Sequence, residues 1–164
     1  MYGDGDGWSA GPGGTKRWGK YGAAGLFLLA EDSTTVLMQH RAYWTASGGK
    51  WGIPGGARDS HETAVDAALR EAVEETGIST VPVQVLGTAV TAGPFPADPA
   101  RAELSGNWTY TTVVAKAPAQ LDVVPDEESL ELRWVPLGEL HTLDLLPALV
   151  EALPVIHEIL GISN

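Results

Sequence analysis

The chain has 164 residues and a mass of 17.2 kDa, enough for one domain with a buried core and too little for two ordinary ones. Ten basic against 21 acidic residues give a formal charge of −11, which opposes sequence-independent binding to a phosphate backbone or an anionic membrane. Without cysteine there is no disulfide, thiolate nucleophile or Cys-ligated zinc, and no apolar run approaches the roughly 18–20 residues of a membrane span. The expectation is a soluble, cytoplasmic protein with no polymeric nucleic acid or membrane as partner, in which any polyanionic substrate needs a local cation.

Residues 1–19, MYGDGDGWSAGPGGTKRWG, are dominated by Gly and polar residues, and read as a flexible N-terminal arm ahead of a single domain over 20–164. The runs YGAAGLFLLA (21–30) and TTVLMQHR (34–41) flank the turn-prone EDS and predict a hairpin that begins a sheet. Residues 42–59 are Gly-rich and read as loop, with a short strand at Trp51–Ile53. A helix follows, with Asp59 as N-cap, Glu62 completing a capping box and Gly77 as its stop. Strands are expected over 83–92 and 108–117, separated by a loop over 93–107, and again over 130–137, where Leu130, Leu132 and Trp134 alternate with Glu131 and Arg133. The tail 143–161 has helical spacing, kinked or restarted at Pro154. Strands around two helices without strict βαβ alternation point to an α+β or mixed α/β sandwich.

The helix carries the chemistry. At roughly 100° per residue, Val65, Leu69, Ala72, Val73 and Thr76 gather on one stripe, the expected core face. Glu71, Glu74 and Glu75 fall on the opposite side within an arc of roughly 100°, where like charges at i,i+3 and i,i+4 repel. They also lie in the C-terminal half, where the macrodipole disfavours anions. Ala64, Ala67 and Ala68 leave room on that face, and Arg70 lies to one side of the arc. A hard dication, Mg²⁺ with Mn²⁺ as the alternative, would relieve this repulsion through oxygen ligands.

Gly56, Glu62, Arg70, Glu71, Glu74, Glu75, Gly77 and Ile78 match the Nudix box G-x5-E-x7-R-E-U-x-E-E-x-G-U, with Ala72 at the first aliphatic position, smaller than the Leu, Ile or Val usual there. The chain therefore resembles the Nudix hydrolases. That resemblance implies an α/β/α sandwich with a mixed central sheet and cleavage of a phosphoanhydride bond in a nucleoside diphosphate linked to another group. Carried over by position, it implies Glu71, Glu74 and Glu75 as catalytic residues. Glu74 and Glu75 would be metal ligands with the Gly55 carbonyl, Glu71 a ligand or the general base, and Gly56, Glu62, Arg70 and Gly77 the scaffold. Glu128, six residues before Trp134, is the counterpart of a further metal ligand in MutT-like members, with Glu127 in reserve.

Outside the box, Arg41, Tyr43, Trp44, Trp51, Trp108 and Tyr110 could stack a base or contact phosphate, with Arg41, Trp51 and Tyr110 the candidate substrate contacts. His40, His61, His141 and His157 form no i,i+4 metal pair, and Ser60 lacks the Gly neighbours of a nucleophile elbow. A Gly-rich arm as the only element before the first strand resembles MutT-type nucleoside triphosphate pyrophosphohydrolases. Pro94, sixteen positions beyond Ile78, resembles a marker of ADP-ribose hydrolases, so ADP-ribose or a nucleotide sugar is the alternative substrate. A nucleotide sensor without catalysis is the reading from another class; its usual mark, loss of box acids, is missing here. The resemblance leaves a homodimer open.

Overall fold

The computed structural model describes residues 3–30, 34–45 and 47–162. Its strands are β1 (Trp8–Ala10), β2 (Lys16–Trp18), β3 (Ala23–Leu29), β4 (Thr35–Arg41), β5 (Trp51–Gly52), β6 (Gly55–Ala57), β7 (Gln84–Phe95), β8 (Trp108–Lys116) and β9 (Ser129–Pro136). Two α-helices, α1 (Ala64–Thr76) and α2 (Pro147–Leu160), and two short 3-10 turns complete the described elements.

β3 decides the layering. All seven of its residues are buried, and their alternation sends Ala24, Leu26 and Leu28 to one face and Phe27 and Leu29 to the other. A strand covered on both faces reads as a continuous apolar run, which is why GLFLL does not alternate. On the first face Ala67, Ala68 and Ala72 of α1 pack against it, and on the second Leu149, Ala152 and Ile156 of α2. Among the described residues the sheet has the order β5-β4-β3-β8-β7, with β6 added to β3 and β9 to β4. The β3–β8 pairing is parallel and the others antiparallel, so the sheet is mixed and the fold is the expected α/β/α sandwich.

Several expectations need correction. The segment read as a free arm holds an antiparallel pair, β1 with β2, in which Ser9 and Ala10 are fully buried. Long-range bonds hold it: Ser9 Oγ donates to the Gly19 carbonyl at 2.7 Å, Ala10 N–H to Ser105 at 2.8 Å and Trp108 Nε1 to Trp18 at 3.1 Å. The N-cap of α1 is Thr63, not Asp59, and the capping box pairs Thr63 with Asp66. Val73 is 42% exposed, whereas Ala67 and Ala68, expected on the acidic face, are fully buried. Their small side chains let the helix lie close to the sheet. α2 runs as one helix through Pro154 and begins at Pro147, a residue suited to a first turn. β7 extends to Phe95 through bulges, so the loop starts at 96. β3 and β4 do pair antiparallel, at Leu29 and Val36; the turn expected at 31–33 lies outside the described residues.

Ala72 is fully buried between α1 and the sheet. Ala72→Leu, which supplies the larger aliphatic group typical of the box, should overpack this gap and cost about 1–3 kcal/mol in urea unfolding. An unchanged unfolding midpoint would show that the helix can lift without cost.

Candidate active site

The edge of β6 beside β3 is backbone with almost no side chain. Register pairs Ala24 with Gly56 and Gly25 with Gly55, so the two strands meet here through small residues, with Gly56 turned toward α1 and Gly25 toward the opposite face. At Gly56 a Cβ would lie 2.5 Å from the Glu71 carboxyl carbon, and at Gly25 it would lie 1.9 Å from the Tyr110 hydroxyl. Glycine is required at both for close approach, not for an unusual φ. Over this floor Gly55 N–H donates to Glu75 Oε2 at 2.9 Å. Glu75 thus turns inward beneath α1, with 6% exposure, and does not share an outward arc with Glu74.

Arg70 organises the surrounding acids. Its Nε and Nη2 donate to the two Glu62 carboxylate oxygens at 2.7 and 2.8 Å, a bidentate pairing. Nη2 also donates to the Ala57 carbonyl at 2.9 Å, and Nη1 to Glu71 at 3.0 Å and Glu74 at 3.4 Å. Glu62 Oε1 in turn accepts the Asp59 N–H at 2.9 Å. The guanidinium therefore stitches the 58–63 loop to the helix. The hydrogen bonds from Arg70 hold the Glu62 carboxyl below its usual range, and those to Glu62 push Arg70 up.

The neighbouring acids are not compensated in this way. Burial raises Glu71 despite Arg70 beside it, with Glu74 and Glu128 adding repulsion. Burial drives Glu75 well above its ordinary value, and Glu71, Glu128 and Asp126 push it further. Burial and then Asp126 raise Glu128, which Arg41 partly opposes. Glu128 immediately precedes β9, and its carbonyl accepts the N–H of Ala42, the residue after β4, at 2.8 Å. The structure thus brings Glu71, Glu75 and Glu128 into one electrostatic cluster, while Glu74 is half-exposed against Arg70.

The donors are all carboxylate or backbone oxygens, the Glu75 carboxylate has one N–H partner, and burial disfavours its charge. Hard oxygen donors that repel one another fit a hard divalent cation. Asp59, His61 and Glu62 also present ligand atoms within 4.8 Å of one another. That group is spent on structure, because Glu62 is bound to Arg70 and Asp59 accepts the Gly5 N–H at 2.9 Å.

The candidate substrate residues separate. Trp51 is 6% exposed in the core, stacked on His40 at 4.5 Å with the Arg133 guanidinium 4.8 Å from its ring centre, which makes it a packing residue. Arg41 acts electrostatically on both Glu128 and Tyr110. Tyr110, raised first by burial and then by Glu75, also lines a cleft of about 510 Å³ between the sheet and α2. Tyr43 and Trp44 are exposed, and Trp108 shares the cleft with Phe95. Sequence reasoning missed Pro12 and Arg17, which wall the cleft, and Asp126, which acts on Glu75. It also missed Gly25; a glycine inside an apolar strand was the available signal, since it marks close approach.

The NUDIX domain profile matches residues 19–156. A relative in Mycobacterium tuberculosis, "Putative 8-oxo-dGTP diphosphatase 3", is 51% identical over 148 residues, covering 88% of this chain and 65% of its own length. A Bifidobacterium longum "Nucleoside triphosphate pyrophosphatase/Nudix hydrolase fusion protein" is 40% identical over 88% of this chain and 29% of its own length. The chain therefore spans less than two thirds of these curated relatives. The crystal structure of a Nudix hydrolase from M. smegmatis, RenU, superposes with a TM-score of 0.82 at 41% identity, covering 96% of each chain.

The raised acids set a pH dependence. For Glu75 the folded value lies above the ordinary 4.5, so its stabilising contribution is complete below the unfolded value and is lost as pH rises through the folded one. Metal-free protein in chelator should lose thermal stability as pH rises above the ordinary carboxylate range. Glu75→Gln should flatten that slope and raise Tm at the alkaline end; parallel profiles for both proteins would count against the buried-charge account.

Proposed function

The chain belongs to the Nudix family, and on that premise we propose that it is a metal-dependent hydrolase of a phosphoanhydride bond in a nucleoside diphosphate linked to another group. The favoured substrate is a nucleoside or deoxynucleoside triphosphate. The observation that carries this reading is the adjacency of the buried acids to the cleft through one side chain. Tyr110 lies on the cleft wall and under the electrostatic influence of Glu75 and Glu71. A ligand with an aromatic part in the cleft and a phosphate chain over the glycine floor matches that layout.

Glu71 and Glu75, with Glu128 and the Gly55 carbonyl, would hold Mg²⁺ or Mn²⁺; Glu74 would join them by turning from Arg70. When bound, such an ion supplies charge for the phosphate oxygens and lowers the pKa of a water. The remaining work falls to the chain. Gly55 N–H fixes the Glu75 carboxylate, and Arg70 holds the loop so that Glu71 stays over Gly56. Burial gives Glu71 an affinity for a proton above that of an ordinary carboxylate, which suits a ligand or a general base. Arg41 offsets negative charge on the side of Glu128 and Tyr110. The triphosphate assignment draws support from the nucleotides in the relatives' names.

Product chromatography over nucleoside triphosphates, ADP-ribose and nucleotide sugars, with and without Mg²⁺, tests this. Glu71→Gln and Glu75→Gln should each lower kcat about 10²–10⁴-fold with folding retained, and Glu74→Gln reports whether that side chain turns inward. Tight nucleotide binding with no turnover of any compound would instead identify a sensor.

A further inference from the structure

Gln39 is 1% exposed within the sheet, a place where amides are uncommon. Its strand β4 alternates, with Val36 and Met38 in the core beneath α2 and Leu37 in the core beneath α1. Gln39, two residues after Leu37, therefore lies on the face that α1 covers. The amide is only half satisfied. Nε2 donates to Ser129 Oγ at 2.9 Å, whereas Oε1 is buried without a hydrogen-bond partner among the described residues. An apolar side chain of the same size would avoid that loss.

One bond further on, the amide meets the acids. Ser129 Oγ donates to Asp126 Oδ1 at 3.3 Å, and the same oxygen accepts the Glu128 N–H at 3.1 Å. A carboxylate only accepts and a hydroxyl has one proton to give, so Ser129 gives its proton to Asp126 and its oxygen receives the Gln39 N–H. This direction orients the amide and strands Oε1. The turn held in this way borders the acidic cluster, since Asp126 acts on both Glu75 and Glu128. Two backbone bonds also place it, from Ala42 N–H to Glu128 at 2.8 Å and from Ser129 N–H to Asp126 at 3.2 Å. The β4–β9 ladder, however, shifts register between His40 and Arg41, whose partners are Glu131 and Ser129. Such an irregularity interrupts the ladder and re-aims side chains. Gln39, paired with Leu132 before the shift, reaches past it to Ser129.

We infer that Gln39 is a positioning residue for the acidic site, setting through Ser129 and Asp126 where Glu128 stands relative to Glu71 and Glu75. The inference rests on the reading of Glu128 as a metal-holding acid and adds a residue from a strand outside the box.

Mn²⁺ binding to the metal-free full chain, followed through the electron paramagnetic resonance signal of the free ion, reads this arrangement without turnover. Gln39→Met keeps an unbranched side chain of similar length and removes both polar atoms. Its urea-unfolding midpoint should equal or exceed that of the wild type, because a stranded carbonyl is gone, while Mn²⁺ affinity falls about tenfold. Ser129→Ala breaks the same link and should weaken binding by a similar factor, and the double variant should be no weaker than the weaker single one. Affinity unchanged in both single variants overturns the inference, as does a loss of affinity that only follows a loss of folding stability. Glu128→Gln with wild-type Mn²⁺ affinity also overturns it and leaves the hydrolase reading to product formation. Mn²⁺ binding that depends on Gln39 in a chain that hydrolyses no nucleotide sinks the hydrolase reading and leaves the positioning role standing. No saturable Mn²⁺ binding by the wild-type chain overturns both.

Discussion

One guanidinium holds the acidic site together. Arg70 donates to both oxygens of Glu62, to Glu71, to Glu74 and to the Ala57 carbonyl, and so joins β6, the following loop and α1. Its planar fork can meet the Glu62 carboxylate and still reach backbone and helix acids, which a lysine could not do. A single positive charge cannot neutralise every acid around it. Glu62 receives the close bidentate share and is lowered, whereas Glu71 keeps a raised pKa beside the same group and Glu75 has no bond to it. The division separates a satisfied structural acid from acids whose charge Arg70 does not compensate.

The glycine floor is the second half of that constraint. Glu71 can lie against β6 only because Gly56 has no side chain, and Tyr110 approaches the same pair of strands only because Gly25 and Gly55 have none. Burial raises each of these groups, Glu71 adds to the rise at Glu75, and both acids add to the rise at Tyr110. Their proximity follows from sheet register, since the β3–β6 and β3–β8 pairings carry Gly55, Gly25 and Tyr110 to one end of the sheet.

Much of this was legible in the amino-acid order, and the parts that were not share a cause. The strands over 23–29, 35–41, 108–116 and 129–136 could be read because apolar runs and alternation are local signals. The box acids could be read because one helix fixes their spacing. The helical wheel failed for Val73, Ala67 and Ala68, since it ranks residues by hydrophobicity while the close α1–sheet contact selects for size. It also placed Glu75 outward, because the bond that draws this acid inward comes from Gly55, twenty residues away. Composition failed for residues 3–19, where Gly content lowers the average but Trp108 and Ser105 supply partners from outside the segment.

The corrected N-terminal segment ties the two halves of the site together. Gly5 N–H donates to Asp59 and Asp4 bonds Ser60, so the start of the segment fastens the loop that Arg70 holds from its other side. Seven and twelve residues after Gly5 the same segment supplies Pro12 and Arg17 to the cleft wall. Lys20 N–H bonds the Gly5 carbonyl and Gly19 N–H bonds Gly7, which closes the segment on itself and fixes one end relative to the other. The hairpin is therefore joined to the box loop by short hydrogen-bonded links. The cleft wall and the loop beside the glycine floor thus share one hydrogen-bonded segment that lies outside the box.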